Sequence, residues 1–84
     1  MKVKVKVKST AVPVTVSGEF IKLDSFLKLV SAVGTGGEAK MRILGGEVIV
    51  NGEVCEMRGK KLHDGDTVRL GGKSWVVKAE IVKF

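Results

Sequence analysis

A single cysteine, Cys55, in a chain of 84 residues has no partner for an internal disulfide. The fold must therefore rest on its apolar core, and a reducing, cytoplasmic compartment suits such a protein. Cys55 and the lone histidine, His63, are too few for a metal site, which needs several suitably spaced ligands. Nor do they make a catalytic pair, since no third orienting group or oxyanion site accompanies them. No catalytic residue is assigned, and Cys55 is read as buried or incidental. Aromatic residues are only 5% of the chain, which argues against single-strand binding dominated by aromatic platforms. Trp75 is read as a core side chain. No apolar run approaches the roughly 18 residues of a membrane helix. The N-terminus alternates Lys with Val where a signal peptide is continuously apolar. The expectation is a soluble, unexported protein with no membrane partner.

What is abundant is positive charge. The net charge is +6 and the pI about 9.7, which points to an acidic partner, nucleic acid being the commonest. The charge is unevenly spread. Residues 1–19 carry four Lys and one Glu (net +3), residues 20–72 eight Lys/Arg and seven Asp/Glu (net +1), and residues 73–84 three Lys and one Glu (net +2). Any basic face in the near-neutral centre must come from geometric clustering of a few cations. The length supports one domain, residues 1–84, with one modest core.

Residues 2–8 alternate Lys and Val, and Val12, Val14 and Val16 continue the period of two, which is strand chemistry. Ser9-Thr10-Ala11 can turn this stretch into a hairpin, and Pro13 suits a sheet edge because it donates no ladder hydrogen bond. Lys2, Lys4, Lys6 and Lys8 read either as a solvated face that discourages edge aggregation or as a nucleic-acid contact. From Leu23 the period changes. Leu23, Phe26, Leu27, Val30 and Val33 fall at helical spacing, Asp24 stands in or before the first turn, and Gly34 is expected to end a helix over 23–33. Gly34-Thr35-Gly36-Gly37 then connects to a second helix over about 38–44, stopped by Gly45-Gly46.

Asn51-Gly52, between Val48-Ile49-Val50 and Glu53-Val54, predicts a hairpin with a type I′ turn. Arg58 to Leu62 reads as a basic loop, His63 to Asp66 as a turn, and Thr67 to Leu70 as a strand. Gly71-Gly72 leads to a last strand through Trp75, Val76, Val77, Ile81 and Val82. The fold class is α+β: two short helices packed on a small, mainly antiparallel twisted sheet, with an extra N-terminal strand or hairpin.

Several side chains have two readings. Gly36 and Gly37 either make the turn between helices or leave backbone N–H groups open to a phosphate, a role that Glu38 opposes. Segment 34–37 fits neither the dinucleotide-binding nor the Walker pattern, so no nucleotide cofactor is expected. Lys60 and Lys61 read as phosphate contacts over solvated loop charge. Arg42 either contacts a ligand or pairs with Glu38 at i,i+4. Arg58 can stack on a base or clamp a phosphate, against an ordinary exposed loop arginine. Asn51 is explained by its turn, and Asp64 and Asp66 read as turn residues.

Residues 20–70 resemble the RNA-binding domain named after ribosomal small-subunit protein S-four, in its small stand-alone bacterial version. The resemblance is carried in order by Phe20-Ile21-Lys22-Leu23-Asp24-Ser25-Phe26-Leu27-Lys28, Gly36-Gly37-Glu38-Ala39-Lys40, Gly46 to Glu53, Arg58-Gly59-Lys60-Lys61-Leu62 and Gly65-Asp66. It leaves residues 1–19 as an N-terminal strand extension and 71–84 as a C-terminal strand. It implies an α-L motif, with RNA lying against the second helix and the neighbouring basic loop, which the family fold brings onto one face. By position it implies that Lys28, Lys40, Arg58, Lys60 and Lys61 match places that commonly hold cations. This chain departs from many members in having Gly36-Gly37 for Ser-Arg and Met57 for Arg. The function expected is non-catalytic docking on structured RNA, ribosomal or transfer, by a ribosome-associated monomer. The alternative is a protein-interaction module that uses its N-terminal edge strand.

Overall fold

The computed structural model describes residues 11–80. The alternating valines form β1 (Val12–Ser17), in which Val16 is buried and Val14 half-buried. A two-residue strand β2 (Ile21–Lys22) leads directly into helix α1 (Leu23–Leu29), and α2 (Gly36–Leu44) follows. The remaining elements are β3 (Val48–Val50), β4 (Glu53–Val54), β5 (Lys61–Leu62), β6 (Thr67–Leu70) and β7 (Lys73–Glu80). Five strands make one sheet in the order β1-β7-β6-β3-β4, and β2 pairs with β5 in a separate ribbon. The sheet is antiparallel except between β1 and β7, which run parallel with Val14 opposite Val77. Among the described residues Pro13 lies, as its chemistry suggested, in an edge strand of the sheet.

The helices cover one face of this sheet. Leu23, Phe26 and Leu27 of α1 and Ala39 and Ile43 of α2 are fully buried with Val48, Val68 and Val77 from the strands. Phe26 meets Trp75 edge-on, with ring centroids 6.3 Å apart and planes at 81°. Burying each of the larger side chains contributes about 1.5–3 kcal/mol relative to leaving it in water. The hairpin forms as expected, with Asn51 at φ 52° and Gly52 at φ 87°. The Asn51 side chain adds a long-range tie: its Oδ1 accepts from the Thr67 N–H at 2.9 Å, and its Nδ2 donates to Asp66 at 3.1 Å.

Three sequence expectations need correction. The first helix does not run to Val33 and Gly34 does not end it; α1 stops at Leu29. The Ser31 N–H donates to the Lys28 carbonyl and the Ala32 N–H to the Leu27 carbonyl, with Ser31 left-handed at φ 61°. That is a Schellman cap, whose left-handed position usually holds glycine. Val33 still reaches the core, but from the connection rather than from the helix. The second helix begins at Gly36 instead of residue 38, because Thr35 is its N-cap. It ends in the same motif, with Gly46 at φ 77°. Finally, Lys61 and Leu62 belong to a strand and not to a loop. The expected strand over residues 2–8, the Ser9 and Thr10 part of the Ser9-Thr10-Ala11 turn, and the strand residues Ile81 and Val82 lie outside the described residues.

The two helix ends therefore use one geometry with different residues, and Ser31 carries a steric cost that Gly46 avoids. Ser31→Gly is expected to raise stability by about 0.5–1 kcal/mol, and Ser31→Val to lower it by about 1 kcal/mol or more. Urea unfolding followed by circular dichroism measures both.

Candidate functional site

A helix leaves its first N–H groups without intrahelical partners. At α1 the N-cap residue, Lys22, supplies no side-chain bond. The partners come instead from the basic segment far along the chain. The Leu23 N–H donates to the Lys60 carbonyl at 2.8 Å, and the Asp24 N–H to the Arg58 carbonyl at 3.1 Å. The side chains follow the backbone, since Arg58 donates from Nε and Nη2 to Asp24 Oδ2, each at 3.4 Å. Arg58 is thus held at the start of α1, its guanidinium facing a carboxylate.

Past this anchor the chain continues into the β2–β5 ribbon, where Ile21 opposes Leu62 and Lys22 opposes Lys61. Leu62 is buried and Ile21 half-buried, so the lysines occupy the opposite, exposed face of the ribbon. Lys61 Nζ stands 4.8 Å from the centre of the Phe20 ring, and Phe20 meets His63 at 6.0 Å between centroids. Phe20, Lys22 and His63 are members of this cluster that sequence reasoning did not select. The signal was there in outline. Phe20-Ile21-Lys22 and Lys61-Leu62-His63 each place one aliphatic residue between two others of different kind, the two-residue period of a half-buried strand.

The second group of expected residues lies on α2. Thr35 Oγ1 accepts from the Glu38 N–H at 3.0 Å, and Glu38 Oε1 accepts from the Gly34 N–H at 2.8 Å. Gly36 and Gly37 are in the first helical turn and not in the connection. Neither has positive φ; a Cβ at Gly36 would meet nothing within 4 Å and one at Gly37 only Thr35 Oγ1 at 3.8 Å. The fold does not require glycine at either position. Arg42 is held between Glu47 at 2.7 Å and Glu38 at 3.7 Å. The hydrogen bond and charge of Glu47, with a smaller contribution from Glu38, raise the guanidinium pKa above its ordinary value. Lys40 is exposed on α2, and Lys28 is exposed in the last turn of α1, where a cation suits the helix dipole.

The expected residues thus lie in three places: Arg58, Lys60 and Lys61 around the start of α1, Lys28 in its last turn, and Gly36, Gly37, Lys40 and Arg42 on α2. Among the described residues, no hydrogen bond, ion pair or ring contact joins Lys40 to Lys60 or Lys61. Lys60 borders a shallow groove of about 260 Å³ that also contains Cys55, Glu53 and Glu56. Two carboxylates make that groove a poor phosphate site. Cys55 is half-buried, its Sγ 3.7 Å from the Met57 carbonyl. Asp64 and Asp66 serve the turn and its docking on β7: Asp64 accepts from the Ala79 N–H at 2.9 Å and Asp66 from the His63 N–H at 2.7 Å. Among the described residues, no group of three His, Cys, Asp or Glu is placed to hold a metal ion, and no helix is long and apolar enough to cross a membrane.

Comparison with known proteins agrees on one family. The family model described as the S4 domain matches residues 14–78, from within β1 to within β7. The probable ribosome maturation protein RlbA of Bacillus subtilis (strain 168) is 42% identical over 60 residues, which cover 71% of this chain and 84% of that relative.

Because glycine is unfavourable in a helix and nothing crowds these positions, Gly36→Ala and Gly37→Ala are each expected to raise stability by up to about 1 kcal/mol. A shift of the urea midpoint to higher concentration at unchanged slope is the measurement that checks this.

Proposed function

The chain belongs to the S4 domain family, and from that premise we propose that it is a non-catalytic protein that docks on structured RNA, with ribosomal RNA the first target to test and transfer RNA the comparison. The observation that carries this reading is the anchoring of Arg58 and Lys60 by their own carbonyls to the N-terminus of α1. It holds a run of cations at a fixed place on a rigid element. Phosphate contacts need such cations free of competing carboxylates. Lys28, Lys40, Lys60 and Lys61 make no ion pair among the described residues, whereas Arg42 and Arg58 are engaged by Glu38, Glu47 and Asp24. In this reading Lys40 and Lys61 contact the RNA backbone, Lys60 does so from the rim of the groove and not from within it, where Glu53 and Glu56 lie, and Lys28 is at the margin. Arg42 and Arg58 contribute less, because each must leave a carboxylate to take a phosphate. Gly36 and Gly37 give a backbone that a phosphate can approach closely, next to a Glu38 whose charge is already turned to Gly34 and Arg42. The relative named for ribosome maturation supports ribosomal RNA as the target.

If three lysines neutralise three phosphates, log affinity falls against log salt with a slope of roughly −2 to −3. Replacing Lys40, Lys60 and Lys61 together by Gln is expected to weaken binding to ribosomal RNA fragments on the order of a hundredfold at 0.1 M salt and to flatten that slope. Replacing Lys2, Lys4 and Lys6 removes the same charge and is expected to do less. Filter binding across a potassium chloride series, with folding checked by circular dichroism, decides the matter. Equal losses in the two variants, or an unchanged slope in the first, reject the proposed face.

A further inference from the structure

The exposed face of the β2–β5 ribbon has an arrangement that folding alone does not explain. Lys22 and Lys61 stand directly opposite each other on antiparallel strands, a placement in which like charges repel. Neither makes an ion pair among the described residues. Three acids of the helix start and the following turn have partners of their own: Asp24 holds Arg58 and the Ser25 N–H, Asp64 the Ala79 N–H, and Asp66 the His63 N–H and Asn51. Glu19, the residue before Phe20, is exposed with its charge free among the described residues. One step along the ribbon from the lysine pair, Phe20 and His63 bring two rings together, and Phe20 remains 37% exposed. Two cations beside two rings, on one small face, match one chemical class: a phosphate attached to a planar base.

We propose that this ribbon face holds one unpaired nucleotide of the bound RNA, its phosphate between Lys22 and Lys61 and its base against the rings of Phe20 and His63. The proposal rests on the RNA-binding reading above and adds to it a preference for a looped-out or bulged nucleotide. Bases inside an A-form duplex are stacked and out of reach, while an unpaired base can turn onto an aromatic side chain. The bound phosphate relieves the Lys22–Lys61 repulsion, so ligand and ribbon stabilise each other.

The test compares two RNAs of equal length, a perfect duplex and the same duplex with one bulged 2-aminopurine, whose fluorescence is quenched on stacking. The full-length protein is expected to bind the bulged RNA about fivefold to a hundredfold more tightly than the duplex and to quench the probe, the range that base stacking on an aromatic side chain gives. Phe20→Leu should remove the preference and the quenching while duplex affinity and its salt slope stay unchanged. Phe20→Trp should restore both. Lys22→Gln should weaken binding of the bulged RNA more than that of the duplex. If Phe20→Leu keeps the full preference and quenching, or the wild-type protein shows no preference, the nucleotide site is overturned while the wider docking face stands. Absence of salt-dependent binding to either RNA would overturn both.

Discussion

Two backbone hydrogen bonds, from the Leu23 and Asp24 N–H groups to the carbonyls of Lys60 and Arg58, fix what the rest of this small fold can do. Leu23 is fully buried, so water is a poor alternative partner for its N–H. Leaving such a donor unsatisfied costs about 1–3 kcal/mol, a large share of the stability of a domain this size. The first helix therefore depends on a segment that the chain reaches only after the second helix and the hairpin. Once that segment is docked, its next residues lie beside β2 and pair with it, and Arg58 meets Asp24. One capping requirement thus fixes the ribbon, the ion pair and the position of the cations together.

Such a requirement is hard to read from sequence, because each partner is ordinary where it stands. Asn51-Gly52 was legible since a type I′ turn demands positive φ at two adjacent residues, and few sequences supply it so directly. The buried face of α1 was legible through the spacing of Leu23, Phe26 and Leu27, and the end of α2 through Gly45-Gly46. The end of α1 was not, because a serine occupies the left-handed position where the pattern predicts glycine. Two-residue strands carry too little periodicity to reveal a ribbon on their own. The parallel pairing of β1 with β7 joins the two ends of the described chain, and nothing local in either strand specifies its partner's direction.

The same logic governs what was legible of the site. Arg58, Lys60 and Lys61 stand out as a basic run, but only the structure shows that Lys61 lies opposite Lys22 and beside Phe20. Sequence reasoning set aromatic stacking aside on composition, a reasonable argument about a whole surface. It does not bear on a single nucleotide position, for which one ring placed beside two cations is enough.

A segment whose charges nearly cancel can still present a basic face, because field strength at a bound phosphate is set by the nearest charges and screening removes the rest beyond about 8–10 Å. Residues 20–72 have eight Lys/Arg against seven Asp/Glu. Asp24, Glu38, Glu47, Asp64 and Asp66 are each drawn into a helix start, a turn or an arginine pair. Glu53 and Glu56 border the groove near Lys60. Carboxylates held by backbone N–H groups keep their charge, but donor dipoles face them and offset part of their field. Lys22, Lys40 and Lys61 keep exposed ammonium groups with no carboxylate attached among the described residues. The bonds that cap the helices and close the turns therefore also sort the charge, drawing Asp24, Glu38, Glu47, Asp64 and Asp66 into backbone or arginine contacts and leaving Lys22, Lys40 and Lys61 to the solvent.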